Sequence, residues 1–583
     1  MKRSGLKLIA LLAVVALVAA ACGGDDEGGA PTGATTATGA TATGATGEEP
    51  VGGSIVVGAE QWPECINIIT TGCASLSWAQ QSVFVHVTSK AMEIDLEGNL
   101  VPGPLITEIP SIEAGTVTED PFTVTYSLNP DAVWADGTPI TCDDWAFTWA
   151  AFLNTKGTYY AAGYDQIESV DCPDPLTTVL NFKAPYADWA FLFGGAFEFV
   201  MEKAAFPDAD PDKPDLSDDM VDGLPFSGGP FVLESWSVEQ AVLVPNANYW
   251  VEDRMPLVDQ VTMIPVTDQA AEINALLNRE VAAINPQASD VSVPDQLAGD
   301  SGVTSAGGSI PYNDMMWFSD DNPPLDDPEV REALLFALNR EAVLDALIKL
   351  NAPEAELVNC ILYLPGLGPW CTPVFADVSY DPAHSLEVLE ADGWDCSGVP
   401  DSPCTKGGQP LVLTISANSG NTRREASQQI FKEGAKPAGF QLEIENYGPG
   451  VYFGRVCPRG LVHVCDYASG GNPGVSLAVT SFQCAYIPSV ENEFAGGNWN
   501  HYCSEEADAV MNQLQEELDP ATQAELMAQL QQIFRDDAMS LPMYVLPTVM
   551  AWRSDTIAGP VDLYANHIYS PYFNMFDWYL AQA

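Results

Sequence analysis

Apolar and polar positions along this chain repeat with two periods, and each period predicts its own kind of element. From Phe122 to Leu128 every second residue is apolar, the period of a half-buried strand. The Asp136–Gly137 pair downstream supplies a tight turn, and Thr141 stands where a helix N-cap belongs, with Asp144 three residues on as its capping-box partner. Trp145, Trp149 and Phe152 then fall on one helical face, so 126–152 reads as strand, turn and capped helix. Residues 54–57 form a short β run. A strand over 261–266, a helix capped by Thr267 with Ile273, Leu276 and Leu277 on its apolar face, and a strand beginning at 281–284 together read as a βαβ unit. Asp327 is an N-cap with Pro328 at the first helical position; Val330, Leu334, Ala337 and Leu338 make the buried stripe and Arg331 leads the polar side. Asp381 and Pro382 open another helix that Gly393 closes. Residues 411–417 read as a strand and 423–436 as a polar helix. A last helix, capped by Asp519 with Pro520 behind it, runs to 537 and buries Leu526, Leu530, Ile533 and Phe534.

At 583 residues the chain is too long for one core, and two or three domains follow. Its 22 basic and 80 acidic residues give a formal charge of −58, which repels nucleic acid and anionic membrane surfaces. The acidity is spread along the chain, as suits a strongly solvated protein. Lys2, Arg3 and Lys7 precede an apolar run over 8–21 that is too short to span a bilayer, so 1–21 reads as a signal peptide. It ends in Val18-Ala19-Ala20-Ala21-Cys22, which resembles the lipobox of bacterial lipoproteins; Cys22 is then the lipid-attachment residue and the only link to a membrane. From Cys22 to Gly53 the chain is largely Gly, Ala and Thr, a flexible leash whose reach is roughly 30 Å.

Of 13 cysteines, Cys22 is set aside and an even set remains, in keeping with an oxidising compartment. Neighbours in sequence point to Cys65–Cys73, Cys142–Cys172, Cys360–Cys371, Cys396–Cys404, Cys457–Cys465 and Cys484–Cys503, with connectivity left open. There is no C-x-x-C pair to favour zinc. The acidic loop 208–219 lacks the Gly that an EF-hand loop needs and is broken by prolines, so it reads as a solvated loop. The sequence contains no G-x-S-x-G, H-E-x-x-H or Walker A motif, and His86, His384, His463, His501 and His567 share no metal-ligand spacing. Neither catalysis nor a cofactor or metal is expected.

The order of residues in 126–152 adds more than periodicity does. A strand ending in Leu128 is followed by Trp134, Asp136, Gly137, Pro139, Thr141 and Asp144, a Trp-x-Asp-Gly-x-Pro-x-Thr-x-x-Asp core. This resembles the signature of extracellular solute-binding protein family 5, the oligopeptide-, dipeptide- and nickel-binding proteins of ABC importers. Pro104 with Leu105, the segments 226–231 and 243–250, the stretch 312–341, the helix 381–394 and the segment 541–544 resemble further family segments; Ser227, Phe231, Asp392 and Trp394 depart from the commonest residues. The resemblance covers roughly residues 54–580. It implies an α/β, two-lobed periplasmic-binding-protein-like fold of type II, with an additional subdomain in the first lobe. The first lobe is expected over 54–310 with its subdomain at about 91–224, the second over 311–544, and the return to the first over 545–583. Two crossing strands, near 306–317 and 542–550, make the hinge.

The resemblance also implies a site. Ligand lies between the lobes, and in peptide binders a second-lobe carboxylate takes the peptide's α-amino group; Asp466, in His463-Val464-Cys465-Asp466-Tyr467, matches that position. The family's preceding Trp is missing here, and Ser469-Gly470-Gly471 replaces the usual acidic or amide run. Trp499, in a Gly-x-Asn-x-x-x-Tyr loop, Trp317 on the crossing strand and Trp62 near the first strand are the aromatic candidates for the ligand wall. Cys457–Cys465 ends one residue before Asp466 and Cys484–Cys503 encloses Trp499, so both bridges would stiffen loops that touch ligand. The expected protein is a monomeric, extracytoplasmic lipoprotein, anchored to the cell membrane in the periplasmic space or at the cell surface. It captures peptides or other small solutes and delivers them to an ABC permease. The alternatives are a nickel-chelate or oligosaccharide receptor of the same family, or a sensory peptide receptor.

Overall fold

The computed structural model of the chain describes residues 52–74, 80–159, 161–195, 198–286, 292–349, 352–361, 370–470, 474–567 and 569–582. The signal segment, Cys22, the leash up to residue 51 and Gly471 lie outside the described residues.

Strand β1 (Ser54–Ala59) enters the main sheet, and a second, four-stranded sheet is inserted after it. The insert contains β2 (Val117–Glu119), β3 (Phe122–Ser127), helix α1 (Cys142–Asn154), β4 (Ile167–Asp174) and β5 (Thr177–Phe182), ordered β2-β3-β5-β4. The chain returns through the hairpin β6 (Phe231–Trp236) and β7 (Ala241–Pro245), then β8 (Gln260–Pro265), α2 (Gln269–Leu277) and β9 (Ala283–Ile284). Strand β10 (Val303–Phe318) leads to α3 (Pro328–Ala337), α4 (Pro382–Ala391), β11 (Val412–Ser416), α5 (Thr422–Ala435), β12 (Gln441–Ile444) and β13 (Val464–Ser469). Helices α6 (Ser476–Phe482), α7 (Glu505–Glu516) and α8 (Pro520–Asp536) precede the long strand β14 (Ser540–Arg553).

The main sheet has ten strands in the order β12-β11-β13-β10-β14-β9-β1-β8-β7-β6. Its middle is the antiparallel pair β10 and β14. The first half of β10 faces the end of β14, with Val303 opposite Arg553; after a register shift between Ser309 and Asn313, Trp317 lies opposite Ser540. The second half of β10 also carries β13, while the end of β14 carries β9. Two strands are therefore shared by both halves of the sheet, the arrangement that lets two lobes move about a double crossing. The βαβ reading of β8, α2 and β9 holds, with β1 lying between the two strands and parallel to both.

The signature forms as its spacing requires. The Thr141 amide donates to Asp144 Oδ2 at 2.9 Å, closing the capping box, and Trp145 and Phe152 are fully buried while Trp149 is half-buried. Gly137 takes φ +88°, which the turn needs, and Thr138 closes the turn by donating its amide to Asp136 at 2.7 Å. Ala135 bonds Ser227 through its amide (2.8 Å), and Asn246 donates to the Gly229 carbonyl (2.9 Å), so three family-like segments meet at one point. All six disulfides join the pairs that neighbourhood in sequence pointed to.

Four local expectations are corrected. Asp268, not Thr267, caps α2, accepting from the Ala271 amide at 2.8 Å. Arg331 is buried, because its guanidinium donates to the Leu325 and Asp537 carbonyls at 2.8–3.0 Å. Helix α5 is polar in sequence yet buries Arg423, Arg424, Ser427 and Gln428, since acids and amides from other strands meet them. Helix α8 buries Gln531 and Arg535 beside Leu530 and Phe534, leaving Leu526 and Ile533 only half-buried.

Candidate ligand-binding site

Alternation along β13 sends Cys465 and Tyr467 to one face of the sheet and Asp466 to the other. Register then decides what each meets. Trp317 pairs with Cys465 and stacks on Tyr467, with ring centroids 5.1 Å apart and planes 18° apart, while its Nε1 donates to the Tyr467 carbonyl at 2.9 Å. Trp499 approaches the same Tyr467 at 5.7 Å, and Phe453 does so edge-on at 6.1 Å. Trp317 also leans on Phe482 of α6, so it stands behind Tyr467 as its support. The Gly496 amide, three residues before Trp499, donates to the carbonyl of Thr158 in the inserted region at 3.4 Å, so this aromatic group lies beside a contact between the two halves of the molecule.

Asp466 lies on the opposite face with Asp314, and both are fully buried under the start of α5. Asp314 receives Arg424 at 2.9 Å, Arg423 at 3.2 Å and the Tyr544 hydroxyl at 2.9 Å. Asp466 has only the Arg424 Nε, at 3.5 Å, and neither of its oxygens accepts a hydrogen bond. The two carboxyls diverge accordingly. Burial pushes Asp314 up, but the charges of Arg424 and Arg423 outweigh it and hold the group below the ordinary carboxylate range. Burial and the Asp314 charge hold Asp466 well above that range against the pull of both arginines. Of the two, Asp314 is the more acidic and Asp466 the more readily protonated.

Trp62 is placed apart from this group. Its indole donates to the Ser237 carbonyl at 3.1 Å, and its backbone carbonyl is 3.5 Å from where a Cβ at Gly450 would stand. The segment around it nonetheless touches the other half of the molecule, since Glu64 pairs with Arg455 at 3.6 Å. Further contacts join the halves: the Ala187 amide donates to the Gln515 carbonyl at 2.7 Å, Tyr486 donates to Asp165 at 3.1 Å, and the buried Asp188 accepts from the Ser476 amide at the start of α6. The structure brings Trp317 and Trp499 together through Tyr467 and leaves Asp466 and Trp62 on other surfaces.

Sequence reasoning passed over Tyr467, Glu198 and Lys90. Glu198 lies near Tyr159 and Tyr186; burial, moderated by Lys90, raises it to about 8. Burial lowers Lys90 to about 8 against the pull of Glu93 and Glu198. The available signal was a single acid flanked by Phe197 and Phe199 in an apolar run.

A ten-stranded mixed sheet parted by two shared strands, with aromatic side chains and unsatisfied acid at the junction, is the build of a two-lobed type II periplasmic binding protein. The family model "Bacterial extracellular solute-binding proteins, family 5 Middle" matches residues 106–461, more than half the chain, and the protein belongs to that family. The oligopeptide-binding protein OppA of Mycobacterium tuberculosis is 27% identical over 453 residues, covering 74% of this chain and 71% of that protein. Among solved structures, the oligopeptide-binding protein AppA of Bacillus subtilis, in complex with a nonapeptide, superposes with a TM-score of 0.77 at 19% identity, over 92% of this chain and 100% of that one. NikZ of Campylobacter jejuni, in complex with Ni(L-His), gives 0.74 at 17% identity, over 90% and 99%. The chain is thus an extracytoplasmic solute-binding protein of ABC transporters, a receptor and not an enzyme, close to OppA and other peptide-binding proteins. Among the described residues no helix is long and apolar enough to cross a membrane.

Proposed function

We propose that this protein is a monomeric lipoprotein, held at the membrane by Cys22 and the leash behind it, that captures peptides between its lobes and hands them to an ABC permease. The first lobe spans 54–310 with the subdomain at about 91–224, the second spans 311–544, and 545–583 returns to the first. Similarity in sequence to OppA favours peptides; the ligands of the structural neighbours, a nonapeptide and a nickel–histidine chelate, differ too much for fold alone to choose.

One observation carries the peptide reading: Asp466 is a fully buried carboxyl with no hydrogen-bond donor. A buried acceptor left unsatisfied costs about 1–3 kcal/mol. An α-ammonium group supplies both the donors and the charge that Asp466 lacks, and the ligand's arrival converts that cost into binding energy. On the opposite face of β13 from Asp466, Tyr467 and Trp499 offer an aromatic wall to the ligand's side chains, Trp317 backs Tyr467, and Trp62 stands apart on the first-lobe side. Flat aromatic faces accept many side chains, as a receptor for mixed peptides needs.

Thermal unfolding of ligand-stripped protein tests this, with mixed free-amine peptides and with the same peptides N-acetylated. At about 100 times the dissociation constant a ligand adds roughly 2.7 kcal/mol. Stabilisation by free amines alone is the expected result. Equal stabilisation by both sets would remove Asp466 from the recognition of peptides.

A further inference from the structure

A carboxyl of the inserted region is seated in a turn of the other half of the molecule. Asp188 is held from behind by its own segment: the Phe191 amide donates to the Asp188 carbonyl at 2.9 Å, and the Trp189 ring lies 6.4 Å from Tyr126 of β3. Its side chain is buried and reaches the turn 474–476, where the Ser476 amide donates to Oδ2. The Val475 amide and the Ser476 hydroxyl face the same carboxyl. One residue earlier, the Ala187 amide donates to the Gln515 carbonyl of α7 at 2.7 Å. Gln483, next after α6, donates to Asn512 of α7 at 2.9 Å, so the two helices that receive this segment are tied to each other.

Gly474 makes the seat possible. A Cβ there would stand 2.6 Å from the Asp188 carboxyl carbon and nearer still to its oxygens, although the backbone at 474 is not left-handed. What the contact uses is therefore the missing side chain and not an unusual conformation. From this turn α6 runs toward the ligand wall. Phe482 lies 6.0 Å from Trp317, the ring behind Tyr467, and the Thr480 carbonyl is 3.1 Å from where a Cβ at Gly497 would stand, in the loop that carries Trp499. The donors that meet the Asp188 side chain come from across the junction. If the halves part, the carboxyl and its donors return to water and neither half loses a bond of its own. Contacts of this kind favour the closed state alone, as a closure equilibrium requires.

We propose that Asp188 is a positioning residue for ligand capture: seated on the 474–476 turn, it latches the inserted region onto the second lobe and fixes α6, and with it the aromatic wall, in the closed arrangement. Gly474 is the other half of the latch. The latch rests on the two-lobed build and holds whether the solute is a peptide or a chelate.

Hydrogen exchange of the full chain, read by mass spectrometry on fragments covering 186–189 and 474–482, tests the latch, because the Ala187 and Ser476 amides donate across the junction. Gly474→Ala leaves every charge in place and should speed exchange in both fragments by about tenfold or more, while fragments of β1 and β11, inside the two halves, exchange as in wild type. Asp188→Ala should do the same, and decides the matter if the first variant does not fold. Mixed free-amine peptides should slow exchange at the junction in wild type, and the variants should need about tenfold more peptide for the same slowing. Unchanged exchange in both variants would overturn the latch. Faster exchange everywhere, β1 and β11 included, would also overturn it, by making Asp188 a general support of the fold. Acceleration in the variants with no response to peptides would support the latch and count against the peptide reading.

Discussion

Asp144 and Asp466 are both buried carboxyls, and they live in opposite conditions. Asp144, in the first turn of α1, accepts from the backbone amides of Thr141 and Lys203, each at 2.9 Å, and from the Thr141 hydroxyl at 3.4 Å. Asp466, in β13, accepts from nothing and has one guanidinium nitrogen at 3.5 Å. The first region is finished as it stands: its acid closes a helix end and ties the signature to Lys203. The second is left incomplete by the protein alone. Carboxyls whose lone pairs are used by the chain hold the fold together; on the proposed reading, one starved of donors at the junction of two lobes is where a ligand completes the molecule.

The largest effect that sharpens this contrast comes from Asp314, the completed partner beside Asp466. Asp314→Asn leaves Arg423 and Arg424 without their ionised counter-charge and should cost about 3–5 kcal/mol in denaturant unfolding. A loss below that of an ordinary surface substitution would show that Asp466 ionises in its place. Asp144→Ala should cost about 1–2 kcal/mol through the lost cap and leave peptide affinity unchanged; a parallel loss of affinity would erase the distinction between the two regions.

A smaller effect is expected from pH. Glu198 is raised from 4.5 to about 8, so the folded state holds its proton more tightly than the unfolded chain does. Its contribution to stability is fully present below 4.5 and is lost as pH rises through about 8. The groups that face it are Lys90, Asp188, Tyr159 and Tyr186. The melting temperature of unliganded protein should therefore fall between about pH 5 and 8, and Glu198→Gln should flatten that fall. An unaltered slope in the variant would assign the titration to other acids.

Much of the first region could be read from sequence because its chemistry is local. A capping box is a spacing of three, a turn is a neighbouring pair, and each disulfide joined cysteines that follow one another along the chain. Where two adjacent residues both suit a cap, spacing does not choose, and Asp268 took the place expected of Thr267. The second region was legible only as a resemblance at Asp466. Its partners lie far off: Arg424 is 110 residues from Asp314, and Tyr544 is 230. A polar helix such as α5 gives no sign on its own that its arginines will be buried, since burial depends on acids from strands elsewhere. Tyr467 was passed over in favour of Trp317, because sequence does not say which of two stacked rings faces outward.

The central claim is tested most directly by titrating one free-amine peptide into wild-type protein and into Asp466→Asn, with unliganded stability measured alongside. The account predicts that the variant loses affinity by about a hundredfold, binds free-amine and N-acetylated peptides equally weakly, and unfolds within about 1 kcal/mol of wild type because no hydrogen bond is lost. Unchanged affinity for the free amine in a normally folded variant would contradict it.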